Sequence, residues 1–291
     1  MTNDDSLAQA RQLVDDLLEA ARSGALIPVR LPEQIEAIAD ALSRVSDQPA
    51  AAAAPPPDMA DFLKEQAVFI STAVHELRIP MTSIRGYADM LNTPGMGELT
   101  DMQRQFLDVI RANARRMESL LTDVSDLSKL RGGTLRVSVK MDTFKNIAMR
   151  VEKAMQPLAD ELGRALAFDV PQGLPLLNTD GELLAKALNK LVENALRYTR
   201  DGGHVTVSAS GAGDQLQVSV TDDGIGMTPE DLAQLGTPYF RSEDEYVRSY
   251  KGSGLGIPVA YGIVALLGGS VRVESAPGQG TTFTLVLPGM S

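Results

Sequence analysis

The sequence predicts an α+β protein: a helical hairpin that pairs with a second copy into a dimeric four-helix bundle, followed by an α/β sandwich with a mixed, mostly antiparallel sheet. Three observations carry this. Residues 59–91 and 106–127 hold apolar positions at alternating spacings of three and four, the period of packed helices, and the short Pro/Gly turn NTPGMGE lies between them. After Arg131-Gly132-Gly133 the pattern changes to short alternating runs broken by glycine-rich turns. Ahead of the first helix, the tract SDQPAAAAAPPPD cannot pack a core and reads as a semi-rigid extended spacer.

The elements follow in order. Residues 6–23 carry Leu13, Leu17, Leu18 and Ala21 at helical spacing, and residues 32–45 repeat the pattern with Ile35, Ile38, Ala39 and Leu42. A short helical region over residues 1–45 therefore precedes an Ala/Pro linker at 46–58. The hairpin spans 59–131. Its first helix places Leu63, Ile70, Leu77, Ile84 and Leu91 at one seam position and Met59, Gln66, Ala73, Pro80 and Tyr87 at the other. Its second runs through Phe106, Ile110, Asn113, Met117, Leu120, Val124 and Leu127. Two helices alone leave part of such stripes uncovered, so a homodimer is expected. The domain at 134–289 reads as a strand at 134–140, a helix at 142–162 capped by Asp142, and a strand at 165–170. A helix at 180–198, strands at 205–209 and 216–221, a helix at 255–267 and strands at 270–275 and 281–287 complete it.

Composition removes several function classes. The 291 residues include 27 Lys+Arg against 38 Asp+Glu, a net charge of −11, with 2 His, no Cys and no Trp. Without cysteine there is no disulfide framework, thiolate metal site or cysteine nucleophile. The acidic balance argues against a nucleic-acid partner, whose phosphates need neutralising. No apolar run reaches the ~18–20 residues that span a bilayer, and MTNDDSLAQA is acidic where a signal peptide is basic, so a cytoplasmic protein with no membrane span is expected.

His75 falls on the outward face of the first helix. A ring nitrogen of a solvent-facing neutral imidazole can act as nucleophile, and the adjacent Glu76 can orient the ring and select its tautomer. Pro80 lacks the amide that would bond the Glu76 carbonyl and is expected to bend the helix just beyond His75. Alone, a surface His-Glu pair is ordinarily incidental. Here the whole run FISTAVHELRIPMTSIRGYADML, through His75, Glu76, Leu77, Arg78, Pro80, Ser83, Ile84 and Gly86, resembles the phosphoacceptor box of sensor histidine kinases. The resemblance implies transfer of the ATP γ-phosphoryl group to His75 and onward to an Asp of a response-regulator receiver domain. One position departs from the pattern. The family usually has Thr or Asn four residues after the His, to position water for dephosphorylating the partner; this chain has Ile79, which implies weak phosphatase action.

Four further segments resemble, in order, the ATP-binding domain shared by histidine kinases, type II topoisomerases and heat-shock chaperone ATPases. In KLVENALRYT, Asn194 offers a neutral oxygen to Mg2+, which keeps water and phosphate oxygens in most of its shell, and Arg197 lies on the same helical face. The resemblance assigns Asn194 to the metal, Arg197 to phosphate and Tyr198 to packing near the nucleotide, while Lys190 stands where family members often have Asn. In TDDGIGM, Gly224 and Gly226 allow a tight turn and close approach to a flat ligand, and a buried Asp222 can accept the exocyclic amino group of adenine. In KGSGLGIPVAYGIVALLGG, Gly252, Gly254, Leu255 and Gly256 open a helix whose N-terminal amides suit phosphate. The polar stretch before it is not the strand a dinucleotide-binding unit requires. It reads as a mobile lid over 237–251, anchored by Phe240, with Arg241, Arg248 and Lys251 towards the triphosphate. In SAPGQGTTFTLVLP, the resemblance gives Gly278, Gly280 and Thr281 a role in supporting the adenine site.

Each segment alone has an ordinary reading as a helix, a hairpin turn or a solvated loop. Their conjunction, in order across residues 62–288, makes coincidence remote. The expectation is a homodimeric protein-histidine kinase that uses ATP and Mg2+ and serves a response regulator. Residues 1–57 fall short of the ~100 residues of an ordinary sensory domain, so residues 1–45 become a candidate docking region for a separate sensory protein. His204, between Gly203 and a strand, is expected as an exposed turn residue. Two alternatives stay open: a serine kinase or ATPase of the same nucleotide fold, and a non-catalytic dimeric ATP-binding scaffold.

Overall fold

The computed structural model describes residues 57–93, 97, 99–250 and 252–289. The helices expected within 1–45, almost all of the linker and Lys251 lie outside the described residues. The described residues divide into two compact units, with the division between Thr134 and Leu135.

In the first unit, α1 (Pro57–Leu91) and α2 (Asp101–Arg131) form an antiparallel hairpin. The helix begins inside the stretch read as spacer, because Pro57 at its first turn lacks only an amide that has no helical partner there. Thr100 and Gln103 start α2 as a reciprocal capping box: the Gln103 amide donates to Thr100 Oγ1 at 3.3 Å and the Thr100 amide to Gln103 Oε1 at 2.9 Å. Arg85 to Glu118 at 2.5 Å and Arg111 to Asp89 at 2.6 Å tie the two helices across the hairpin.

The buried seam differs from the expected one. Val74, Leu77 and Met81 pack on Ala114, Met117 and Leu121, with Ile70 and Ile84 partly buried beside them, and Ala67, Ala88 and Leu107 are also buried. On α1 the second seam is therefore Ala67, Val74, Met81 and Ala88, one residue along from the predicted Gln66, Ala73, Pro80 and Tyr87. Alanines at its ends let the backbones approach, which large side chains one position back would prevent. At the close end of α2, a Cβ on Gly132 would lie 2.7 Å from Ala67 Cβ. On α2 the predicted stripe shares Met117 with the core, whereas Phe106 remains 59% exposed, as does Tyr87 of α1 at 68%. Each helix carries an apolar arc wider than one seam, and the hairpin covers one side of it.

In the second unit, a five-stranded sheet has the order β2-β4-β5-β7-β6, from β2 (Ala165–Asp169), β4 (His204–Ala212), β5 (Gln215–Asp222), β6 (Ser270–Ser275) and β7 (Thr281–Pro288). The β2–β4 pair is parallel and the other three are antiparallel. Alternation sends Val205 and Val207, Leu216, Val218 and Val220, and Phe283, Leu285 and Leu287 into the core. Three helices fill it: α3 (Phe144–Leu162), α4 (Gly181–Tyr198) and α7 (Gly256–Leu266). Ile147, Val151, Leu184, Leu188, Leu191 and Ile263 from these helices are fully buried. On the other face, Ser219 meets Thr284 and Thr221 meets Thr282 through their hydroxyls, at 3.4 and 3.1 Å.

Four local expectations change. The strand expected at 134–140 shrinks to β1 (Lys140–Asp142), which pairs only with β3 (Leu177–Thr179), a strand too short for a periodic signal. Thr143, not Asp142, caps α3, because Asp142 is taken by the Thr143 amide, Asn146 and Arg150. The expected irregular loops contain α5 (Pro229–Gln234) and α6 (Glu245–Ser249), started by Thr228 and Asp244. His204 is the first residue of β4 rather than part of a turn, though its side chain is exposed as expected. Among the described residues, no helix is long and apolar enough to cross a membrane.

Candidate functional site

On α1, burial of Val74 and Leu77 turns the intervening position outward, and the His75 side chain is 69% exposed. Its Nδ1 lies 3.8 Å from Glu76 Oε1. A proton on Nδ1 faces the carboxylate, and the Nε2 lone pair is then left for an electrophile. Four residues on, Ile79 is 55% exposed and brings no hydrogen-bonding group to this face.

In the second unit, the end of α4, the loop after β5, the start of α7 and the turn between β6 and β7 converge. Asp222, at the end of β5, is buried. Its Oδ1 accepts the Gly224 amide at 2.9 Å and the Thr281 amide at 3.2 Å; Oδ2 takes neither bond. Burial pushes this carboxyl from 3.8 up to about 6; the two amides oppose the shift and the Asp223 charge adds to it. A buried acceptor held rigid through one oxygen can read an exocyclic amino group with the other.

The loop carries glycines because the backbone leaves no room for anything larger. At Gly226, with φ +65°, a Cβ would lie 1.9 Å from the Ala276 carbonyl oxygen; at Gly280, with φ +75°, one would lie 1.9 Å from the Asp222 carbonyl oxygen. The Ile225 amide donates to Tyr198 O at 3.1 Å and the Gly278 amide to Ile225 O at 2.7 Å, joining the loop to α4 and to the β6–β7 turn. Ser275, which sequence reasoning passed over, joins the same parts: its hydroxyl contacts Gly280 O and Thr281 Oγ1 at 2.9 Å and accepts the Met227 amide at 2.9 Å.

Along α4, Lys190, Asn194 and Arg197 share a face at helical spacing. Asn194 is half-buried, and no other described residue bonds its carboxamide. Its carboxamide oxygen is a neutral donor of the kind a Mg2+ that keeps its phosphates and waters can take; among the described residues, no group of three acidic or histidine side chains could hold a metal. The Lys190 stem runs beside the start of α7, its Cδ 3.6 Å from where a Gly256 Cβ would stand. The buried Leu255 at the α7 N-cap supplies no side-chain acceptor, so the first amides of the helix keep their affinity for an anion. Gly254, at φ +70°, is pressed against Tyr239 and Phe240, and Tyr239 itself adopts φ 66°, a strained value for a tyrosine.

The expected cations are engaged differently. Arg197 directs Nε and Nη2 to Glu193 Oε1 at 3.1 and 2.8 Å, because Glu193 lies one turn earlier. Arg241 donates to the carbonyls of Val247 and Tyr250 at 2.6 and 2.5 Å, closing the C-terminal end of α6. Arg248 pairs with Glu243. Of the lid cations, both described ones thus hold the segment itself together, and Lys251 lies outside the described residues. Phe240, within the segment, is half-buried, and Gly252, just after it, is exposed.

Comparison with known proteins matches both units. Residues 65–133 match the His Kinase A (phospho-acceptor) domain, and residues 179–290 match the histidine kinase-, DNA gyrase B- and HSP90-like ATPase. An uncharacterised sensor-like histidine kinase of Rhizobium meliloti is 31% identical over 221 residues, 76% of this chain and 42% of its own length. The histidine protein kinase DivJ of Caulobacter vibrioides is 31% identical over 223 residues, 77% of this chain and 37% of its own. Full-length ShkA in complex with AMPPNP is similar in structure, with a TM-score of 0.65 and 26% identity, over 78% of this chain and 46% of that one. The chain thus spans less than half the length of each of these three. With a phosphoacceptor hairpin followed by this ATPase domain, the chain belongs to the sensor histidine kinases.

Proposed function

We propose that the chain is a protein-histidine kinase that moves the γ-phosphoryl group of Mg-ATP to His75 and then to an Asp of a response-regulator receiver domain, acting as a homodimer. The observation that carries this reading is the pair of sites on one chain: an exposed imidazole with Nδ1 beside Glu76, and a buried Asp222 held through a single oxygen at the end of β5. In the transfer, the Nε2 lone pair of His75 forms a bond to the γ-phosphorus and the bond to the β,γ-bridging oxygen breaks, releasing ADP. The imidazolium produced keeps its proton on Nδ1, where the Glu76 carboxylate stabilises it.

Such transfers depend chiefly on positioning and charge neutralisation. Asp222 Oδ2 accepts the adenine amino group, Asn194 supplies one Mg2+ ligand, and the α7 amides face the phosphates. Mg2+ would neutralise charge that develops on the transferring oxygens. Arg197 must leave Glu193, at least in part, to reach a phosphate. The uncovered apolar arc of the hairpin, including Tyr87, Phe106 and Ile110, supports dimerisation. Ile79 supports weak dephosphorylation of the partner.

The test is labelling with γ-radioactive ATP. The chain should gain acid-labile phosphate, and His75→Gln should lose it while still binding ATP. Acid-labile labelling that persists in that variant overturns the assignment, and acid-stable phosphate on serine favours the serine kinase alternative.

A further inference from the structure

Arg164 is the least expected feature of the nucleotide-binding unit. It follows Gly163, the left-handed C-cap of α3, and its side chain is only 1% exposed. A guanidinium cannot shed its charge at any ordinary pH, so burial must be offset by partners. Neither is a carboxylate in close contact. Nη2 donates to Tyr250 Oη at 2.8 Å and to Tyr246 Oη at 3.1 Å, and the group lies 5.8 Å from the Tyr250 ring centroid. The nearest acidic oxygen, on the fully solvated Asp201, is 3.7 Å away. Nε and Nη1 are buried without partners. The two tyrosine hydroxyls are thus the close hydrogen-bond acceptors of a buried cation, and both belong to the segment preceding the Gly254 loop.

The same tyrosines reach the end of α4. Tyr246 Oη donates to the Thr199 carbonyl at 2.9 Å, and the Tyr250 ring stands edge-on to Tyr198 at 6.3 Å. Tyr198 O accepts the Ile225 amide of the Asp222 loop. One helix end therefore carries the adenine loop on Tyr198 and the lid on Thr199. Arg241 closes the lid helix from within by holding the Val247 and Tyr250 carbonyls, whereas Arg164 holds it from the body of the domain.

The geometry points to Arg164 as the positioning residue of the lid: through the hydroxyls of Tyr246 and Tyr250 it fixes α6 against the end of α4, and so sets how firmly the site retains ATP. If the lid lifts, the buried cation loses both acceptors, so lid docking and cation satisfaction are one event. This rests on the reading of the site as an ATP site, and the test separates the two.

The full chain is compared with Tyr246→Phe, Tyr250→Phe and the double variant, which keep the rings and remove the hydroxyls, and with Arg164→Lys. Amide hydrogen exchange is followed without nucleotide, and autophosphorylation is titrated with ATP. In the double variant the amides of 245–250 should exchange about tenfold faster while those of β4, β5 and β7 stay as in the parent; the KM for ATP should rise about tenfold, with kcat moving less than twofold. Arg164→Lys, if folded, should shift the same way, since one ammonium cannot replace the planar fork. Unchanged lid exchange in the double variant overturns the proposal. So does faster exchange spread over the whole sheet, or faster lid exchange with an unchanged KM. A parent chain that binds no ATP refutes the kinase reading instead, and the exchange data still decide whether the latch exists.

Discussion

Replacing Asp222 by Asn should stabilise the protein and weaken its hold on ATP. The carboxyl is buried, and moving it from 3.8 to about 6 corresponds to about 3 kcal/mol of preference for the protonated form in the folded state. The folded chain therefore holds this proton more tightly than the unfolded chain does. Stability conferred by the protonated group is full below pH 3.8, is lost as pH rises through 4–6, and stays lost above. Asparagine keeps an oxygen for the Gly224 and Thr281 amides without the charge. The variant should gain roughly 1–3 kcal/mol over the parent at pH 8, and about a third of that gain at pH 4.5. For a unit of this size the gain raises its melting temperature by about 2–4 °C per kcal/mol.

Binding should move the other way. The atom replacing Oδ2 becomes an NH2 group, which meets the adenine amino group donor to donor, so affinity should fall at least about tenfold to a hundredfold. Thermal melts at the two pH values and titration with ATP measure both effects. A variant less stable than the parent at pH 8, equal gains at both pH values, or retained ATP affinity would refute the reasoning.

Gly280→Ala places a Cβ 1.9 Å from the Asp222 carbonyl oxygen at φ +75°, so urea denaturation should show a loss of about 3 kcal/mol or more, with loss of ATP binding. Gly278→Ala, at φ +73° but with nothing within 4 Å, should cost only about 1 kcal/mol. Ile79→Thr adds a hydroxyl at an exposed position and should leave stability within about 0.5 kcal/mol. The same variant should speed decay of a phosphorylated receiver domain, measured against the parent. Lys190→Ala removes a basic side chain whose stem runs beside the start of α7 and should raise the KM for ATP several-fold in a steady-state assay, with a melting temperature near that of the parent.

The hairpin and the sheet were legible because both repeat: a periodic stripe survives an error of one residue in any position, as do alternating strands such as β5 and β7. Register on the hairpin was not. Both α1 stripes are apolar enough to pack, and the choice of Ala67 and Ala88 over Gln66 and Tyr87 depends on how closely α2 approaches. Short elements such as β3 and α5 lay below any periodic signal; β3 exists through its pairing with β1, distant in sequence, and α5 is a six-residue helix started by Thr228.

For the site, the sequence by itself determined the chemistry available: one histidine beside a glutamate on a heptad helix, an Asp-x-Gly-x-Gly turn, a glycine-rich helix start. Those motifs are local, since a φ of +65° or +75° demands glycine wherever the chain goes next. Charge pairing is not local. A cation in a loop reads alike whether it faces phosphate, a neighbouring carboxylate or a backbone carbonyl, and only the folded chain sent Arg241 to the carbonyls at the end of α6. Tertiary structure alone brought Arg164 beneath Tyr246 and Tyr250, residues more than eighty positions away, because a buried guanidinium takes whatever acceptors the packed core brings within reach.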